Sequence, residues 1–319
     1  MKKILCVLMS CLLFVMAGCS GHSKNLKFGA ADIGGVYYSF ASTFTQLADK
    51  EIDGYTFETK TTAGSVANLR LISDGYIDLA IAQADLLSDA YNATGTFADK
   101  KYQKGYKAVA SLYTECCQIV VRKDSGITGI DDLINKTVSV GASESGSEKN
   151  AEQILKMSGI TDELINKVNM DYTEAAEKLK AGEIDAFFCT AGTRTEVIGQ
   201  LSKECDIWLI SLDDKCIDKM LSAYSLCEKY TIPAGTYNGQ DSDVTTIGVK
   251  AVLIAKQSLS DDVIKNVTKT IYEHADDFKY ATSLDISFDI NTAADGVDIP
   301  FHSGAAAYYT ERGINVLTE

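Results

Sequence analysis

Three short stretches of this 319-residue chain place glycine and hydroxyl side chains just before an apolar helical pattern. They are GAADIGGVYYSF at 29–40, TKTTAGSVANL at 59–69 and VGASESGSEKNAEQIL at 140–155. Ser and Thr at such positions cap helices, while Gly34, Gly35, Gly64 and Gly146 let backbone approach a ligand closely. A helix start left open presents unpaired N–H groups and the positive end of its dipole, which together hold an anion. In the second stretch Thr62, Ala63 and Gly64 form the turn, and Ser65 and Asn68 are the candidate contacts. Their alternative is an N-cap and an exposed helix face. In the third stretch Ser145, Gly146 and Ser147 are the candidates, with capping by either serine as the rival. After Gly35, Tyr37 and Tyr38 point to different faces, so one can pack in the core while the other lines a cleft.

Other polar residues stand where strands should end. Gln83 and Asp85 close an apolar strand, where polar groups fix the orientation of a ligand, although Asp85 can equally cap the helix that follows. Glu115 can receive a ligand ammonium or bond backbone. Arg122 suits a carboxylate, and Asp124 is close enough in sequence to satisfy it instead. Arg194 is expected at a solvated rim, and His302 as a cap before GAAAYY. The six cysteines Cys116, Cys117, Cys189, Cys205, Cys216 and Cys227 contain no C-x-x-C pair, and histidine is scarce. No metal site or cofactor is expected, and the pairing of these cysteines stays open.

The N-terminus has a plan of its own. Lys2 and Lys3 precede an apolar run and the small residues Ala17-Gly18, which predicts a secretory signal over 1–18 rather than a spanning helix. Met16-Ala17-Gly18-Cys19 resembles a bacterial lipobox, making Cys19 a lipidation site with a polar tether over 19–25. The chain holds 30 basic and 44 acidic residues. Removal of the signal takes two lysines and no acid, which leaves 28 against 44, a charge of −16. Such a field does not seek nucleic acid or anionic lipid, so an anion site must be built locally.

Short apolar strands alternate with helices. Strands are predicted at 26–30, 56–61, 77–82, 107–113 and 117–122, then at 137–141, 168–171, 184–189 and 246–255. Helices are expected at 37–50, 65–74, 147–159, 173–181 and 260–280, the last with Val263, Val267, Ile271 and Ala275 on one stripe. This is an α/β pattern with parallel sheets and helices on both faces. Its order suits a second α/β unit inserted into the first, so that 26–115 plus 246–319 form one lobe and 116–245 the other. The chain would cross between them near 113–122 and 225–248, which makes a hinge with a cleft between two sheets. Ligands in such sheets sit beyond the carboxyl ends of strands, where the three glycine-rich junctions lie. Three open helix ends facing one cleft would make an anion clamp.

The same stretches resemble the TAXI family, the extracytoplasmic solute receptors of TRAP transporters. The matching motifs are Gly34-Gly35-Val36-Tyr37-Tyr38, Ala63 to Leu69, Gln83-Ala84-Asp85, Leu112-Tyr113-Thr114-Glu115, Asp185 to Phe188 and Pro300-Phe301-His302. The chain departs from the family pattern at Ala30, Ala31, Ser39, Asn135, Ser303 and Arg194, the last of these after Gly192. The resemblance implies a two-lobed periplasmic-binding-protein-like fold of type II that closes on a small carboxylate. Glutamate, glutamine or a dicarboxylate such as 2-oxoglutarate would be the ligand, with Gly192 added to the contacts. It also implies delivery to a TRAP membrane permease from a lipid-anchored, extracytoplasmic position, without catalysis. A lipid-anchored sensor or surface antigen shares every residue named here. An enzyme would need a base near Cys116 or Cys117, and no histidine lies in the cleft-forming stretches.

Overall fold

The computed structural model describes residues 24–99, 104–283 and 288–319. The expected signal segment, Cys19 and most of the tether lie outside these residues. Lys24 and Asn25, assigned to the tether, already belong to the first strand.

The chain folds as β1 (Lys24–Gly29), α1 (Val36–Glu51), β2 (Tyr55–Lys60), α2 (Ser65–Ser73), β3 (Leu79–Gln83), α3 (Ala84–Asn92) and β4 (Tyr106–Arg122). Then come β5 (Thr137–Ser139), α4 (Gly146–Met157), β6 (Asn166–Val168), α5 (Tyr172–Ala181), β7 (Ala186–Ala191), α6 (Glu196–Glu204), β8 (Ile207–Leu209), α7 (Asp214–Ala223) and β9 (Cys227–Ile232). The chain returns through β10 (Val244–Lys256), α8 (Asp261–Glu273), α9 (Ala275–Thr282) and α10 (Ser303–Thr310). The apolar pattern leaves α6, β8, α7 and β9 unassigned.

The strands form one mixed sheet in the order β2-β1-β3-β10-β4-β7-β5-β6, with β8 beside β4 and β9 beside β10. Two separate sheets are therefore not what forms. The predicted strands at 107–113 and 117–122 are a single 17-residue strand, because Thr114, Glu115 and Cys116 stay extended and pair with Lys250, Val249 and Gly248. The buried carboxylate of Glu115 interrupts the apolar run without interrupting the backbone. Along β10, Ala251–Ala255 pair with β3 while Val244–Val249 pair with β9. Along β4, Cys116–Val121 pair with β7. Both strands thus change partners midway, and the passage between the two halves of the sheet lies inside them.

The helix expected over 260–280 breaks at His274, whose φ of −115 and ψ of 28 are not helical. The imidazole bridges Glu51 on α1 and Asp277 on α9, so a side-chain tie across helices replaces continuous helix. Val263, Val267 and Ile271 are buried as the stripe requires. The main hydrophobic cluster joins α1, β1, β3, β4, β10 and α8, with Phe28, Phe40, Phe44 and Phe278 fully enclosed. A second cluster lies under α4 and α7, around Val138, Ile154, Phe188 and Met220. Among the described residues no helix is long and apolar enough to cross a membrane.

Candidate solute-binding site

The starts of α1, α2 and α4 meet at one cavity. It is lined by Gly35 and Val36, by Ala63, Gly64 and Ser65, and by Ser145, Gly146 and Ser147. The N-cap positions are Gly35, Gly64 and Ser145. Gly35 and Gly64 bring no side chain, so the first N–H groups of α1 and α2 have no capping oxygen from that position. Ser145 caps α4 once, its hydroxyl accepting from the Glu148 N–H at 3.0 Å. Gly64 has φ 120 and ψ −150, a conformation open to glycine and strained for any other residue. A Cβ there would also lie 3.4 Å from the Ser145 Cα, so α2 and α4 meet nearly backbone to backbone.

The cavity also carries acid. Glu115, from the middle of β4, is 3% exposed and its Oε2 accepts from the Tyr37 hydroxyl at 2.7 Å. Burial pushes its pKa up to about 8, nearby Asp85 adds to the rise, and hydrogen bonds from Tyr37 and Gln83 oppose it. Asp32 also lines the cavity, and burial and the Asp171 charge raise its pKa to about 6. No lysine, arginine or histidine is among the lining residues. The positive potential in the cavity therefore comes from backbone dipoles, and its titratable carboxyls are Glu115 and Asp32.

Tyr172, Ser147 and Thr190 form a closed set of bonds on the α4 side. Ser147 Oγ accepts from the Thr190 N–H at 2.8 Å and lies 2.6 Å from the Tyr172 hydroxyl, which donates to the Thr190 carbonyl at 3.0 Å. Two buried polar atoms bordering the cavity, Gln83 Oε1 and Thr190 Oγ1, have no hydrogen-bond partner. Buried groups of this kind are normally paired, so both suit the polar edge of a ligand. The cavity is partly open, and its volume of about 30 Å³ is room for a water or two, so a larger solute needs its walls to part.

Ten of the residues singled out from sequence border this cavity: Gly35, Tyr37, Ala63, Gly64, Ser65, Gln83, Glu115, Ser145, Gly146 and Ser147. Five do not. Tyr38 is half-buried against the main core. Asn68 is fully buried and ties strands together, its amide donating to the carbonyls of Ala30 at 2.6 Å and Ile81 at 2.8 Å. Thr62 lies 2.7 Å from Asn68 Oδ1 and within reach of the Ala30 carbonyl. Asp85 faces a neighbouring space lined by Ser88, Asp89 and Gln153. Gly192 is buried, and its carbonyl accepts from the Thr195 hydroxyl.

Asp32, Tyr172 and Thr190 were missed. Asp32 lies inside the first quoted stretch, and Thr190 stands at the carboxyl end of β7, where strand-end logic points. Tyr172 opens α5 and carries no motif. Arg122 pairs with Asp124 at 3.2 Å and donates to the Leu179 carbonyl at 2.8 Å. Arg194 is exposed, and His302 Nδ1 accepts from the Gly304 N–H at the start of α10. All six described cysteines are free, and burial pushes the Cys117 thiol up to about 12.

The chain belongs to the NMT1-like family, whose model matches residues 28–313. Its fold is that of periplasmic-binding-protein-like structures. It resembles PhnD1 from Prochlorococcus marinus in complex with methylphosphonate, with 13% identity over 83% of this chain and 93% of that one and a TM-score of 0.58. It also resembles the ligand-binding component of an ABC-type import system from Staphylococcus aureus with zinc bound, at 12% identity, 91% and 92% coverage and a TM-score of 0.51. An ancestral arginine-binding protein bound to arginine aligns at 16% identity over 82% of this chain and 98% of that one, with a TM-score of 0.50.

Proposed function

We propose that this chain is a solute receptor of the TAXI type, lipid-anchored at Cys19 outside the cytoplasmic membrane, that delivers a small carboxylate to a TRAP permease. Lobe 1 is 26–115 with 246–319, lobe 2 is 116–245, and bending occurs where β4 and β10 change partners. The observation that carries this reading is the convergence of three helix starts, from opposite halves of the sheet, on one small cavity. Helix N–H groups and dipoles hold the carboxylate without a cationic side chain. Solute binding is also what the fold relatives' descriptions name, for ligands of several chemistries.

Glu115 favours an amino acid over a keto acid or plain dicarboxylate. A buried carboxyl hydrogen-bonded by Tyr37 is a natural partner for an ammonium, and Gln83 Oε1 can accept a second N–H. The bare carboxyl is protonated at neutral pH, so taking up an ammonium expels a proton from it.

The test is calorimetric titration of residues 20–319, after unfolding and refolding to strip carried-over solute, with glutamate, glutamine, 2-oxoglutarate, succinate and a neutral sugar. Glutamate or glutamine should bind, and the heat at pH 7 should vary with buffer ionisation enthalpy as a proton is released. Binding of the keto acid or succinate alone would remove Glu115 from this role. Heat from none of the carboxylates would end the carboxylate reading.

A further inference from the structure

Outside the cavity, α2 and the loop before α4 are joined by a second set of contacts. Arg70, on the last turn of α2, meets Glu144 at two points: Nε to Oε1 at 3.1 Å and Nη2 to Oε2 at 2.6 Å. The backbone crosses the same gap, with the Ala67 N–H donating to the Glu144 carbonyl at 3.1 Å. Glu144 itself is held in a left-handed conformation, φ 65, which a non-glycine residue adopts only when its surroundings impose it. Those surroundings are visible. Its N–H donates to Glu148 Oε2 at 2.9 Å, and Glu148 Oε1 is bonded in turn by the Asn169 amide at 2.9 Å.

Neither Arg70 nor Glu144 lines the cavity. Yet both are close to residues that do: Arg70 stands on the helix that Ser65 opens, about one and a half turns further on, and Glu144 directly precedes Ser145 to Ser147. The fork-to-carboxylate geometry fixes direction as well as distance. We propose that Arg70 and Glu144 are positioning residues, a latch that joins α2 of one lobe to α4 of the other and sets how long the solute is retained. This rests on the solute-receptor reading above. The pair is partly exposed, at 32% and 42% of the side chains, so its static contribution to folding is small. Its leverage is different in kind. A contact made only when the lobes meet shifts the closing equilibrium by its full worth, and apparent affinity follows that population.

The experiment compares the wild-type soluble chain with Arg70→Gln, Glu144→Gln and the charge-reversed double variant Arg70→Glu/Glu144→Arg. Solution scattering without solute reads the gap between lobes directly, and thermal melting checks that each variant folds. Each single variant should scatter as a more open particle than wild type, and the double variant should return toward it. With the best ligand of the titration panel, the single variants should raise koff by about two- to fivefold and leave kon nearly unchanged. The difference should shrink at about 0.5 M salt, where partly exposed charges are screened. Wild-type scattering and koff in both single variants would overturn the latch, as would a double variant no better than either single. If no carboxylate binds, the binding reading fails on the titration, while the solute-free scattering still decides the latch.

Discussion

Glu115 is the residue on which most of the chemistry turns. Its folded pKa of about 8 lies above the usual 4.5, so the unfolded chain releases this proton first as pH rises. The folded state consequently loses stability as pH rises through the window from about 4.5 to 8, and Asp32 and Asp85, both raised to about 6, add the same sign at the lower end. Glu115→Gln should flatten the fall of Tm between pH 5 and 8 and raise Tm at pH 8; an unchanged slope would mean that the carboxyl ionises freely. Glu115 was legible in the sequence as a carboxylate between two apolar strands, at the expected crossing. Its protonation was not, because that depends on burial by residues far along the chain. Asn68 shows the opposite failure. Its place after a glycine turn made it look like a ligand contact, and only the tertiary structure reveals that its amide joins carbonyls of two strands. Removing it takes this donor from the Ile81 carbonyl and leaves the Ala30 carbonyl to Thr62 alone, so Asn68→Ala should cost about 1–3 kcal/mol in chemical denaturation, with little change in ligand affinity per folded molecule.

At the level of elements, the three glycine-rich helix starts were readable because their requirement is local. A turn into an open helix needs small residues, and sequence records that directly. Gly146 gives the clearest test. A Cβ there would lie 2.4 Å from the Gln83 side chain, which is itself buried at the cavity wall. Gly146→Ala should therefore push Gln83 into the cavity and reduce solute binding at least tenfold, while stability falls by only about 1 kcal/mol. Binding at wild-type strength would show that this helix start is not a ligand wall. Elements that depend on distant partners were less readable. The break at His274 follows from Glu51, more than two hundred residues earlier, and β4 runs through Glu115 because β10 and β7 supply its hydrogen bonds.

The whole molecule places two negative features against each other. On the proposed reading, a chain of net charge −14 holds an anion through backbone dipoles in a cavity that Glu115 and Asp32 also line. That combination suits a zwitterion better than a simple anion, since each charge on the ligand meets its opposite. Alternation of strands and helices was enough to foresee the fold class. The single continuous sheet was not, because the crossings expected near 113–122 and 225–248 read as gaps between strands, whereas β4 and β10 run on unbroken while their partners change. On the proposed reading the carboxylate lies at the converging helix starts. The measurement that meets it most directly is a crystal structure of the soluble chain with the tightest carboxylate from the titration panel. Carboxylate oxygens should lie within hydrogen-bond distance of the N–H groups at Ser65 and Gly146, with any ammonium on Glu115. A carboxylate bound elsewhere, or held by an arginine or lysine brought in from outside the cavity, would contradict that reading.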